Sequence, residues 1–140
     1  MHRIVFLSRR GDVSGPLAQA LFNRAIAECA PGTAVGAAAA LQPASAIQAK
    51  TQVVLDELGV DTQPMGILEV SPPMLQHADR VIALDRDVEL PVGLRERAVP
   101  ERWDLPDHSA ATIEQVRALA TDIRALVGVL AREIASGAGS

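Results

Sequence analysis

Ser8, Arg9, Arg10, Gly11, Asp12, Val13, Ser14 and Gly15 lie between the apolar run Val5-Phe6-Leu7 and Pro16. A buried strand that enters a Gly-containing loop and then a helix opened by proline is the layout of a phosphate cradle. The N–H groups of the loop and of the helix start converge there on one anion. Gly11 and Gly15 allow the backbone angles such a nest needs. Arg9 and Arg10 add positive charge, and Asp12 opposes it. Residues Arg9, Arg10, Gly11, Asp12, Val13, Ser14 and Gly15 are therefore a candidate anion site, with a plain structural turn as the other reading. The side chains that would make such a cradle hydrolytic are absent. No cysteine ends the strand, and no arginine opens the helix.

The elements that position this loop follow from pattern. Residues 4–7 are a continuous apolar run, as in a strand buried on both faces. From Pro16, Leu17, Leu21, Ala25 and Cys29 recur at helical spacing, and Pro31-Gly32 stops the helix. Residues 33–40 are an alanine-diluted second strand, and residues 44–58 a second helix ending at Gly59. Ser71 before Pro72-Pro73 signals a short helix to about Ala78. Residues 80–84 form the clearest strand, and residues 98–103 a last one. Ser109 is expected to open a long helix carrying Ile113, Val116, Leu119, Ala120, Ile123, Leu126, Val127 and Leu130. The alternation predicts an α/β three-layer sandwich, a four-stranded parallel sheet with helices on both faces. Ligands of such sheets bind at the carboxyl ends of strands, which is where the 8–15 loop, Asp85 and residues 104–108 fall.

Composition bounds the rest. The chain has 140 residues, 49% hydrophobic but only 2% aromatic, so its core is built from Ala, Val, Leu and Ile. One domain over residues 1–136 with a disordered tail at 137–140 is expected. The net charge of −4 argues against a nucleic-acid partner. The lone Cys29 excludes an internal disulfide and a single-chain cysteine cluster for zinc. Its place on the apolar helix stripe predicts a buried small hydrophobe. His2 and His108 have no partners at metal spacing, so no metal and no cofactor are expected, and His77 is read as surface or as a helix C-terminal partner. No signal-peptide core and no run of spanning length is present, which predicts a cytoplasmic chain without a membrane partner.

Three stretches together resemble the low-molecular-weight protein tyrosine phosphatases and the related arsenate reductases. They are Gly15-Pro16-Leu17-Ala18-Gln19-Ala20-Leu21-Phe22, Ser71-Pro72-Pro73-Met74-Leu75-Gln76-His77-Ala78-Asp79-Arg80-Val81-Ile82-Ala83-Leu84-Asp85, and Trp103-Asp104-Leu105-Pro106-Asp107. In the family these look like the start of the first helix, the helix and third strand, and the acid loop. The family's phosphate loop reads Cys-x-Gly-Asn-x-Cys-Arg-Ser-Pro. Counting back from Pro16, the resemblance places the nucleophile on Ser8, the Gly-Asn pair on Arg10-Gly11 and the second cysteine on Val13. The arginine falls on Ser14 and the serine on Gly15. A family Ser-Ala-Gly after the second strand becomes Ala37-Ala38-Ala39. Asp107 alone falls on a catalytic position, that of the general acid, and His108 replaces the proline that follows it.

The chemistry implied by the resemblance needs a thiolate held charged by a helix N-terminus and a guanidinium. A serine hydroxyl is a much weaker acid, and Ser14 cannot fork onto two phosphoryl oxygens. Loss of one oxyanion-type donor alone costs about 3–4 kcal/mol of transition-state stabilisation. The expectation is a catalytically degenerate phosphatase-like chain, a pseudophosphatase that binds a protein partner or a phosphorylated or anionic ligand. The alternative is an enzyme with residual or repurposed phosphomonoester hydrolysis, using Asp107 with Ser8 or a water. Arg9, Arg10, Asp12, Trp103 and Asp107 would then line its pocket, with Trp103 and His108 as its wall. Trp103 is equally readable as core, and Asp107 as a helix N-terminal charge. A third reading is an assembly subunit, packed through its alanine-rich second strand and small-residue helix faces. Monomer and homodimer both remain open.

Overall fold

The computed structural model describes residues 1–60, 67–86, 88–95, 100–105 and 111–137. Along the chain run strand β1 (His2–Ser8), helix α1 (Ser14–Cys29), strand β2 (Ala34–Ala40), helix α2 (Ala49–Leu58) and helix α3 (Pro72–Gln76). Strand β3 (Arg80–Asp85), helix α4 (Val92–Arg95), strand β4 (Glu101–Leu105) and helix α5 (Ile113–Ala135) follow. The four strands form one parallel sheet in the order β2-β1-β3-β4. The chain crosses from β2 to the far side of β1 to make β3. That reversal opens a crevice at the carboxyl ends of β1 and β3, where ligands of such sheets sit.

Side-chain alternation along the central strands sorts the core into two layers. Ile4, Phe6, Ile82 and Leu84 pack with buried residues of α1, α2 and α5. Val5, Leu7, Val81 and Ala83 pack on the opposite face with Leu75 of α3 and with Val88 and Leu90. The three aromatic residues of the chain meet in the first layer. The ring of Phe6 lies edge-on to Phe22 at 5.6 Å and tilted against Trp103 at 5.8 Å.

Several element boundaries, and the burial of Cys29, differ from the sequence expectation. α1 begins at Ser14 rather than Pro16. A proline within the first turn removes an N–H that has no intrahelical partner anyway. Cys29 is exposed, not buried. Strict four-residue steps drift about 40° each on a 3.6-residue helix, so Cys29 has rotated about 120° from Leu17. The buried face instead follows Leu17, Ala18, Leu21, Phe22 and Ile26, and the Cys29 thiol turns toward the Ala131 carbonyl at 3.8 Å. α2 begins at Ala49 because the preceding residues bond the 8–15 loop instead: Gln42 and Ala44 donate their N–H groups to the carbonyls of Arg9 and Arg10. β4 begins at Glu101 and continues through Asp104, expected as loop, which adopts φ 51° where the ladder to β3 shifts register. α5 begins at Ile113 behind a Thr112 cap, whose hydroxyl accepts from the Gln115 N–H while the Gln115 side chain accepts from the Thr112 N–H. Ser109 lies outside the described residues. Helix α4, one turn long, had no sequence expectation.

The outer edge of β2 is closed by α1. Asn23 accepts the Gly36 N–H at 2.8 Å and donates to the Gly36 carbonyl at 3.1 Å, and Gln19 accepts the Ala38 N–H at 2.8 Å. Farther along, Ala40 pairs with the 68–70 segment through Leu68 and Val70.

On the other side of the sheet, Arg80 forks onto both Glu101 oxygens at 2.6 and 2.8 Å and reaches Glu133 of α5 at 3.2 Å. The Arg80 hydrogen bonds hold the Glu101 carboxyl below its ordinary 4.5. A carboxylate with a lowered folded-state pKa contributes stability above its ordinary value and loses it as pH falls through the folded value. Arg80→Met is therefore expected to lower the urea midpoint at pH 7, by less than about 1 kcal/mol because both partners are wet. At pH 3 the gap between variant and wild type should narrow. An equal gap at both pH values would show that the loss comes from packing of the arginine stem.

Candidate functional site

β1 delivers the loop to the crevice, and α1 carries it away. The residue before the helix, Val13, has no side chain that can cap, and no acidic residue stands in the first turn. The leading N–H groups of α1 thus have no side-chain cap of their own, although residues 11–16 are all buried. Such a helix start favours negative charge. Gly11 has φ +73°, a left-handed conformation that glycine adopts without strain. A β-carbon at that position would lie 2.7 Å from Ile67 Cγ2, so the segment after α2 rests directly on the loop.

Asp85 joins the two ends of the loop. One carboxylate oxygen accepts the Ser14 hydroxyl at 2.8 Å, and the other accepts the Arg9 N–H at 3.2 Å. The middle is tied from α2 and the residues before it. Gln48 donates its amide to the Asp12 carboxylate at 2.8 Å, and Gln48 N–H and Thr51 Oγ1 both donate to the Asp12 carbonyl. Arg10 lies 3.7 Å from the same carboxylate through an exposed guanidinium. Asp12 is 8% exposed, yet an amide and a guanidinium face it. These bonds brace the middle of the loop. Sequence reasoning did not find Gln48, Thr51 or Ile67, and it placed Asp85 at the crevice without its bonds.

Of the expected site residues, the structure brings together Ser8, Arg9, Arg10, Gly11, Asp12, Val13, Ser14 and Gly15. Arg9 and Arg10 are exposed, whereas the other six are buried. Trp103 is half-buried and packs on the core through Phe6. Asp107 and His108 lie outside the described residues.

Ser8 decides what this loop can do. It is 2% exposed, and its hydroxyl oxygen has no hydrogen-bond partner among the described residues. A β-carbon on Gly15 would come within 3.3 Å of that oxygen and of the Ala38 methyl, so the hydroxyl is wedged between helix start and β2. A serine acts as a nucleophile when an adjacent base takes its proton, and no such base touches Ser8 among the described residues. A buried, unsatisfied hydroxyl costs about 1–3 kcal/mol. Ser8→Ala is accordingly expected to raise stability by about 1 kcal/mol, read as a higher urea midpoint. A drop of that size would show that the hydroxyl is held by a partner.

No metal-binding group of three or more His, Cys, Asp or Glu residues occurs among the described residues. Among them, too, no helix is long and apolar enough to cross a membrane. No family model and no curated protein matches the sequence. Solved structures do. The YwlE arginine phosphatase from Geobacillus stearothermophilus superposes with a TM-score of 0.81 at 20% identity, covering 98% of this chain and 95% of that one. An arsenate reductase in the phosphate-binding state gives 0.79 at 18% identity, over 96% and 99% of the two chains. The low-molecular-weight protein tyrosine phosphatase from T. tengcongensis gives 0.76 at 17%, over 95% and 99%. The fold is that of the low-molecular-weight protein tyrosine phosphatase-like proteins, over nearly the whole chain.

Proposed function

We propose that this chain is a non-hydrolytic relative of the low-molecular-weight phosphatases, which binds a phosphorylated or acidic group of a partner protein without turning it over. The observation that carries the reading is a phosphate-cradle loop whose nucleophile position holds a buried serine with no base against it among the described residues. The uncapped start of α1, the left-handed Gly11 and the exposed Arg9 and Arg10 support binding of negative charge. Ser14, at the arginine position of the resemblance, hydrogen-bonds Asp85 and offers no guanidinium to growing charge on a phosphoryl group. Hydrolysis therefore lacks both its attacking group and its charge stabilisation. A reducing cytoplasm suits a chain with one exposed thiol.

Two measurements test this. Purified protein is expected to release p-nitrophenol from p-nitrophenyl phosphate no faster than buffer, with Asp107→Asn giving the same blank. Phosphotyrosine is expected to shift the amide resonances of residues 9–17 in a saturable way. Turnover that disappears in Asp107→Asn would overturn the reading in favour of an enzyme with a different nucleophile. Silence of residues 9–17 in the titration would remove the anion.

A further inference from the structure

Positive charge also gathers away from the loop, between α1 and α5. A groove of about 300 Å³ opens there between Leu21 and Cys29 of α1 and residues 124–132 of α5. About 10 Å of helix rise separate Ser14 from Leu21, where the groove starts. Its floor is apolar, made by the buried side chains of Leu21, Val127 and Ala131. Three guanidiniums line it, those of Arg24, Arg124 and Arg132, against one carboxylate, Glu28. That local excess of positive charge stands on a chain whose net charge is −4.

The arginines have donors to spare. Arg24 gives one N–H to the Leu58 carbonyl at 2.6 Å, and the guanidinium has further donors beyond it. The side chains of Arg124 and Arg132 make no hydrogen bond or ion pair among the described residues. They stand two turns apart on one face of α5, and Gly128 lies between them. A β-carbon at Gly128 would meet only the far end of Arg132, at 3.7 Å. The missing side chain leaves a notch between the two cations.

We propose that this groove binds a small ligand carrying two or more phosphoryl groups. Guanidinium forks match phosphoryl oxygens. Three guanidinium forks offer more donors than one phosphoryl group can accept, which suits a linear oligophosphate better than a single phosphate. The groove makes no use of the 8–15 loop, so the inference stands apart from the proposed function.

Sodium tripolyphosphate, titrated into 15N-labelled protein at constant ionic strength, is the probe. Saturable shifts are expected at Ala25, Gly128, Ala131 and the Nε groups of Arg24, Arg124 and Arg132, with residues 11–17 unmoved. Orthophosphate should bind at least tenfold more weakly. Alkylation of Cys29, which lines the groove, should slow when tripolyphosphate is bound. The Arg124→Ala/Arg132→Ala double variant alters only exposed side chains and should lose at least tenfold in affinity. Gly128→Leu keeps every charge, fills the notch and should weaken binding as well, with helicity unchanged by circular dichroism. Shifts that do not saturate, shifts confined to residues 11–17, or wild-type affinity in both variants would overturn the proposal. In that case Arg24 serves the C-terminal end of α2 and Arg132 that of α5.

Discussion

Phe6→Ala is expected to lower the unfolding free energy by about 3–5 kcal/mol, enough to remove a large share of what a domain of this size has. Phe6 is fully buried at the centre of the sheet, and both other aromatic residues of the chain pack against it. Apart from Phe22, the buried residues packed with it are Ala, Val, Leu and Ile, nearly all of them already fully enclosed. They cannot swing inward to fill the space of a ring, so the cavity persists, and its cost adds to the lost transfer energy. The edge-on contact with Phe22 and the tilted contact with Trp103 add a further preference of about 0.5–1.5 kcal/mol per pair. Urea unfolding followed by Trp103 emission gives the number directly, and the folded-state emission should move to the red as the indole loses its cover. Phe6→Leu, which keeps most of the volume, should cost less than half as much. A loss below about 1 kcal/mol in Phe6→Ala would mean that helices α1 and α5 close over the gap.

The second large effect is a gain. Ser8→Cys alone and Ser14→Arg alone are each expected to leave p-nitrophenyl phosphate turnover at the blank, whereas the two together should raise it by at least about 10²-fold. A thiol at position 8 needs positive charge to ionise near neutrality, and the start of α1 supplies only part of it. An arginine at position 14 would also face the Asp85 carboxylate, which now accepts the Ser14 hydroxyl. It would stabilise the thiolate and the charge growing on the phosphoryl oxygens, so the two changes act as a unit rather than additively. Near-UV circular dichroism verifies that the double variant keeps its packing. A natively folded double variant that stays at the blank would show that the backbone of residues 8–15 does not hold a phosphate in line with position 8.

Much of this architecture was legible because it is written in local pattern. The continuous apolar runs at residues 4–7 and 80–84 became the two central strands, and the 3.6-residue stripe from Val116 to Leu130 became the buried face of α5. The loop was legible from its punctuation, Gly11, Gly15 and Pro16 at the end of a buried strand. Its stabilising contacts were not. Asp85 reaches Ser14 from 71 positions away, and Gln48 reaches Asp12 from 36. Bonds of that range leave no periodic trace in the chain. Cys29 failed differently, since a spacing of four, followed too far, walks off the face it starts on. Asp12 was legible as a negative charge in the loop, but not its bond from Gln48 or its approach by Arg10.

One feature of β2 reaches into how the chain assembles. A strand that reads Ala-Val-Gly-Ala-Ala-Ala-Ala has almost nothing in its side chains to tell one alignment from the next. Such strands are prone to slip along a neighbour. Here the alignment key is carried by α1. The Asn23 amide recognises both backbone groups of Gly36, and Gln19 recognises Ala38. Gly36 adds a lock, because a β-carbon there would sit 2.8 Å from the rings of both Phe6 and Phe22. A two-residue slip would press the Ala38 methyl into that gap. The helix thus acts as a template for its neighbouring strand: only the native register of β2 beside β1 offers Gly36 to Asn23 and Ala38 to Gln19.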